Sequence, residues 1–226
     1  MNTVSHRELA TAIEDSVGRH GPTPAAVWLD RRDALGNGLR RCEAIFRMAE
    51  ASDAFDVIDL GCGPGLAIPF LQERFGPRMT GYLGVDISAP LVDEARRAFP
   101  EHRFEVRDIL AEPLAARASF VAINGVLTAR YTLSHAGMEA FAKDFLRAAW
   151  DGAGDAMAFN VMSPYVDWTR EDLFHWPVQD ALAFCIGSLS RHVNVIADYG
   201  LYEYTVQVFR APRAARGPVP RAWTGP

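Results

Sequence analysis

Apolar positions at Val4, Leu9, Ile13 and Val17, with charges between them, repeat at helical spacing through residues 3–19, and HGPTP at 20–24 ends the pattern. A second helix is predicted from about 30 to 51, with Leu35, Leu39, Cys42, Ile45, Phe46 and Ala49 on one broad face. From Asp56 onward, short apolar runs alternate with helical segments: FDVIDL, YLGVDI, RFEVRDI and SFVAIN, interleaved with PFLQERFG, PLVDEARRAF and MEAFAKDFLRAAW. That alternation predicts a parallel sheet with helices on both faces. AMAFNVM reads as a fifth strand, residues 163–176 as an irregular insert rich in aromatics, and a further helix leads to strands at about 191–199 and 203–210. Only residues 200–202 separate these last two, a hairpin spacing that makes the final strand antiparallel to the rest. The chain thus divides into an N-terminal helical extension or lid (1–52), an α/β domain (53–210) and a flexible tail with prolines and arginines (211–226).

The 226 residues suffice for one α/β domain with added helices, and 49% hydrophobic content excludes wholesale disorder. A net charge of -5 supplies no general positive field for phosphates, which disfavours nucleic acid as a partner. Cys42, Cys62 and Cys185 form no CxxC pair, so neither a zinc site nor a disulfide framework is indicated, and a reducing cytoplasm is the expected location. No apolar run approaches the ~20 residues of a membrane span.

The chemistry concentrates in DLGCGPG, Asp59 to Gly65, between a predicted strand and a predicted helix. In an open α/β sheet this position offers backbone amides to a ligand. Glycines at 61, 63 and 65 allow a sharp turn and close approach, with Cys62 a small filler between them. Asp86 ends the second predicted strand, where a carboxylate can accept both hydroxyls of a ribose, and Asp108 ends the third. A dinucleotide loop has the spacing GxGxxG, whereas here it is GxGxG with an acid at its head, which suits a cationic ligand better than a diphosphate.

These segments, 59–65, 82–88, 103–109 and 119–126, resemble the class I S-adenosylmethionine-dependent methyltransferases. The resemblance implies a Rossmann-like, seven-stranded, mostly parallel sheet whose last strand is antiparallel, and S-adenosyl-L-methionine as cofactor. It implies that Gly61, Cys62, Gly63 and Gly65 lie against the methionine part and that Asp59 helps hold its amino group. It further implies that Asp86 binds the ribose, Ile87 packs on adenine, Asp108 and the Ile109 amide meet adenine nitrogens, and Asn124 and Gly125 present carbonyls to the ammonium. The sequence departs from the family pattern in two places: SFVAIN lacks the acid common in the fourth strand, and Pro69 falls in the helix after the loop.

Methyl transfer from a sulfonium asks chiefly for positioning and exclusion of water, with a base only where the acceptor must lose a proton. Candidates for catalysis are His175, Tyr131 and Asn160; for the acceptor they are Trp28, Arg130, Tyr165 and Trp168. His135 reads as a residue of a helix cap, and aromatics at 159, 165, 168, 174 and 176 as either acceptor pocket or core. SPY at 163–165 follows the fifth strand rather than the fourth, which sets aside a nucleic-acid amino methyltransferase. The later segments, FNVMSPYVDW and DYGLYEYTVQVFR, are similar to small bacterial methyltransferases. The reading is a methyltransferase for a small-molecule acceptor, with no metal, no nucleic acid and no membrane as partner, and with a homodimer left open. A protein or peptide methyltransferase, an inert cofactor-binding regulator and an NAD-linked oxidoreductase are the alternatives.

Overall fold

The computed structural model of the chain describes residues 3–23 and 34–213, with side chains over 8–23 and 36–213. Trp28 and residues 214–226 of the tail lie outside the described residues. Strands β1 (Phe55–Leu60), β2 (Met79–Asp86), β3 (Arg103–Val106), β4 (Ala118–Leu127), β5 (Ala153–Met162), β6 (His192–Ile196) and β7 (Glu203–Phe209) form one sheet in the order β3-β2-β1-β4-β5-β7-β6. Neighbours pair in parallel from β3 to β5, and β7 runs antiparallel to both β5 and β6, so β7 alone is reversed.

Side chains alternate across the strands, as the two-residue period requires. Val57, Phe120, Ala122 and Ala158 face a layer made by α2 (Ala34–Phe46), α3 (Ile68–Phe75) and α4 (Ala89–Ala98), which contributes Ile45, Phe46, Leu71 and Val92. Ile58, Leu60, Val121 and Ile123 face α1 (Thr3–His20), α5 (His135–Gly152) and α6 (Val178–Ser188), meeting Leu9, Met138, Leu146 and Phe184. Ser134 starts α5 by accepting a hydrogen bond from the Gly137 amide at 3.0 Å. Pro69 occupies the first turn of α3, where its missing N–H has no intrahelical acceptor to lose.

The structure differs from the sequence reading in three places and decides a fourth that the sequence left open. The helix described from Ala34 ends at Phe46, followed by a single 3-10 turn at Arg47–Ala49, rather than running to 51, and Leu39 is 51% exposed because the helix turns Arg41 and Cys42 inward instead. β3 stops at Val106, so Asp108 sits in the loop beyond it, accepting from the Leu110 amide at 3.0 Å. β6 stops at Ile196, and the hairpin connection spans 197–202 rather than three residues. Phe159, Phe174 and Trp176 are fully buried, which makes those aromatics core.

The register sets the site. Leu60 pairs with Val85 on one side and Ile123 on the other, so the next residues along each strand, Gly61, Asp86 and Asn124, arrive at one level on the carboxyl edge. This is also where the strand order reverses, between β1 and β4, the position at which an open α/β sheet forms a crevice.

Candidate active site

A cavity of about 800 Å³ opens at that edge, within the size range of sites for small molecules. One end is built from the glycine loop and the strand termini: Asp59, Gly61, Cys62, Gly63, Asp86, Ile87, Asp108, Ile109, Asn124 and Gly125 all line it. Gly61, Gly63 and Gly65 have φ of 73°, 54° and 85°, in the left-handed region where a side chain is strained. A Cβ on Gly61 would meet Val126 Cγ2 at 2.3 Å. Gly65 has a different neighbour: it is outside the described lining, and a Cβ there would lie 2.8 Å from the Phe99 ring.

Asp86 is buried and accepts from the amides of Gly63 and Ser88, each at 2.9 Å, which ties the glycine loop to the end of β2. Burial raises its pKa, and the amide bonds from Ser88, Gly63 and Ile87 oppose that rise. Asp59 is 2% exposed, and burial pushes its carboxyl up to about 7, against the Tyr82 hydroxyl that donates to it at 2.8 Å and with the charge of Asp86 adding to the rise. Burial, then the charges of Asp59 and Asp86, also push up the Cys62 thiol, so it is no nucleophile at neutral pH.

The rest of the lining brings in the aromatic side chains and an apolar helix face. Leu9, Ala10 and Ile13 of α1 form one wall, and Phe141 and Phe145 of α5, stacked 5.5 Å apart, form another. Trp168 and Tyr202, which also line the cavity, meet edge to face at 5.4 Å. Tyr131 projects from a backbone with φ 50°, the one non-glycine residue in the left-handed region among the described residues. Such strain concentrates where a side chain is held for a purpose. Burial and the nearby Asp172 charge raise its pKa, so at neutral pH the phenol remains protonated, a donor rather than a base.

The remaining candidates stand apart from the cavity. His175 is outside the described lining; its Nδ1 is 2.7 Å from the Ser163 carbonyl, and its Nε2 is buried with no hydrogen-bond partner. Asn160 is fully buried beneath the floor, accepting from the Gly125 amide at 2.7 Å and donating to Glu203 at 2.6 Å. Arg130 is turned to the Leu133 carbonyl, and Tyr165 is 76% exposed. His135 contacts the His175 carbonyl at 2.9 Å, one position past the Ser134 cap.

Sequence reasoning missed Arg41 and Glu203, which line the cavity as an ion pair: Arg41 Nε lies 3.0 and 2.9 Å from the two Glu203 oxygens, and its Nη2 also donates to Glu203. It also missed Phe141, Phe145 and Tyr202. The phase of α2 and the first position of the last strand carried the only signals for the ion pair. Among the described residues no group of three or more His, Cys, Asp or Glu is disposed to hold a metal, and no helix is long and apolar enough to cross a membrane.

The family described as Methyltransferase domain matches residues 57–152. The Mycobacterium tuberculosis protein Rv1506c, which carries a methyltransferase name, is 32% identical over 171 residues, 73% of this chain and 99% of that protein. Trans-aconitate 2-methyltransferase of Azoarcus sp. is 37% identical over 75 residues, which span 33% of this chain and 29% of that enzyme. Among solved structures, magnesium protoporphyrin IX methyltransferase from Synechocystis with bound S-adenosylmethionine shares the fold, with a TM-score of 0.63 at 16% identity over 89% of this chain and 97% of that one. Similarity to Rv1506c along nearly its whole length, on this fold and around this glycine loop, makes the chain a member of the class I S-adenosylmethionine-dependent methyltransferases.

Proposed function

We propose that the chain methylates a small, largely apolar acceptor on oxygen, nitrogen or carbon, with the cofactor at the glycine-loop end of the cavity and the acceptor at the aromatic end. The observation that carries this reading is the junction of the two ends in one cavity of about 800 Å³. The donor set fits the cofactor. Asp59, Asp86 and Asp108 suit a ligand with hydroxyls, amino groups and a positive charge, and Asn124 Oδ1 is a buried acceptor with no partner in that wall.

Bound there, S-adenosylmethionine supplies a methyl group already activated by its sulfonium. Asp86 accepts from the ribose hydroxyls while its amide bonds hold the glycine loop in place. Asp108 and the Ile109 amide would hold the adenine, and Ile87 would pack on it. Asp59 adds negative charge near the ammonium. Tyr131 donates to the acceptor and orients its nucleophile, and α1 with Phe141 and Phe145 excludes water. Among the described residues, each arginine lining the cavity faces a carboxylate: Arg41 faces Glu203, Arg107 faces Glu105 and Glu112, and Arg170 faces Asp172. This pairing favours a neutral acceptor over a polyanion. Cys42, Cys62 and Cys185 are buried free thiols, which suits a reducing cytoplasm.

Calorimetric titration with S-adenosylhomocysteine, with NAD as control, tests the cofactor end: micromolar binding of the first alone is expected, and silence with both overturns the reading. Asp86→Ala should weaken that binding by roughly 1.5–3 kcal/mol, the loss of hydrogen bonds to a charged group. An acceptor screen that reads S-adenosylhomocysteine release should favour uncharged aromatic compounds over tricarboxylates.

A further inference from the structure

We infer that Glu203 and Asn160 are positioning residues that aim one backbone carbonyl at the cofactor's ammonium group. The chain of contacts is continuous: Arg41 clamps Glu203 through both carboxylate oxygens, Asn160 Nδ2 donates to Glu203 Oε2 at 2.6 Å, and Asn160 Oδ1 accepts from the Gly125 amide at 2.7 Å. With its amide nitrogen spent on a buried carboxylate, Asn160 can present only its oxygen to Gly125. The side-chain amide is therefore oriented by Glu203 rather than free to flip.

The Asn124–Gly125 peptide is trans, since the described residues contain no cis bond, so its N–H and C=O point in opposite directions. β4 lies between β5, which carries Asn160, and β1, which carries the glycine loop. An N–H fixed on Asn160 therefore turns the Asn124 carbonyl away from β5, toward the space at the ends of β1 and β4. The ladder with β5 breaks between Ile123 and Leu127, and Gly125 has φ 87°, so the strand itself does not hold this peptide. The Gly125 carbonyl is occupied by Thr128, whose hydroxyl donates to it at 2.8 Å, which leaves the Asn124 carbonyl as the acceptor the peptide offers the cavity. A carbonyl so held recognises an ammonium.

The inference rests on the cofactor placement above, and the test separates the two. S-adenosylhomocysteine carries the ammonium; 5′-methylthioadenosine keeps the adenosine and thioether but lacks it. Both are titrated calorimetrically into wild type, Glu203→Gln and Asn160→Ser, with melting temperatures measured in parallel. The expected result is a loss of about tenfold or more in S-adenosylhomocysteine affinity in each variant, with 5′-methylthioadenosine affinity unchanged. Equal losses for both ligands would reduce the network to a structural brace, and no loss for either would remove it from the site. If wild type binds neither, the cofactor placement fails and this inference with it. Should Asn160→Ser not fold, Glu203→Gln alone decides, because it keeps the size of the side chain but offers one oxygen where Arg41 and Asn160 engage two, so that an NH2 faces one of these donors.

Discussion

Between pH 4 and 7 the buried Asp59 holds a proton that the unfolded chain has already released, because burial lifts its pKa from 3.8 to about 7. The stability this group contributes is full below the unfolded value and is lost as pH rises through 7. A cation bound beside it favours the ionised form, so ligand binding near pH 6 should expel a proton. The enthalpy of S-adenosylhomocysteine binding at pH 6 should therefore vary with the ionisation heat of the buffer, and Asp59→Asn should abolish that dependence; a buffer-independent enthalpy in wild type would exclude Asp59 from the ammonium site. The same substitution keeps an acceptor for the Tyr82 hydroxyl while removing a buried charge. It should raise the melting temperature at pH 8 by at least about 3 °C even as binding weakens.

Helices α1 and α2 serve different ends. α2 is knitted into the sheet: Arg41 binds Glu203 of β7, and Gln207 Nε2 donates to the carbonyls of Ala44 and Ile45 at 3.0 and 3.3 Å. α1 instead sends Leu9, Ala10 and Ile13 over the cavity and packs Val17 beside Leu91. Replacing Leu9 and Ile13 by alanine removes apolar wall area, so the dissociation rate of S-adenosylhomocysteine should rise on the order of tenfold. An unchanged rate in stopped flow would show that α1 does not cover the bound ligand. The glycine loop, Asp86 and the seven strands were legible in sequence because each is a local pattern: a turn spacing, a strand end, an apolar run. Arg41 and Glu203 were not, since 162 positions separate them and only the packing of α2 on β7 brings them together. Leu39 marks the same difficulty, for helical periodicity gives a face its width but not its centre, and the structure centres it nearer Cys42.

Across the whole molecule, burial falls from the middle of the sheet to its rims: β1, β5 and β7 are almost wholly buried, while β3 and β6 expose much of their length. Hydrogen exchange should accordingly be slowest in β1, β4, β5 and β7 and at least about tenfold faster in β3 and β6, measured by mass spectrometry of the native chain. β7, the last of the described strands, does not sit at a rim; it fills the interval between β5 and β6. During translation, therefore, β6 leaves the ribosome before β7, its neighbour among the described strands, exists, and the flank of β5 stays open until residues 203–209 follow. A nascent chain halted at residue 200 would carry an exposed strand edge of the kind that recruits other chains, and it should be recovered in inclusion bodies. The order of synthesis thus leaves the sheet and its Glu203 contact incomplete until translation has passed residue 209.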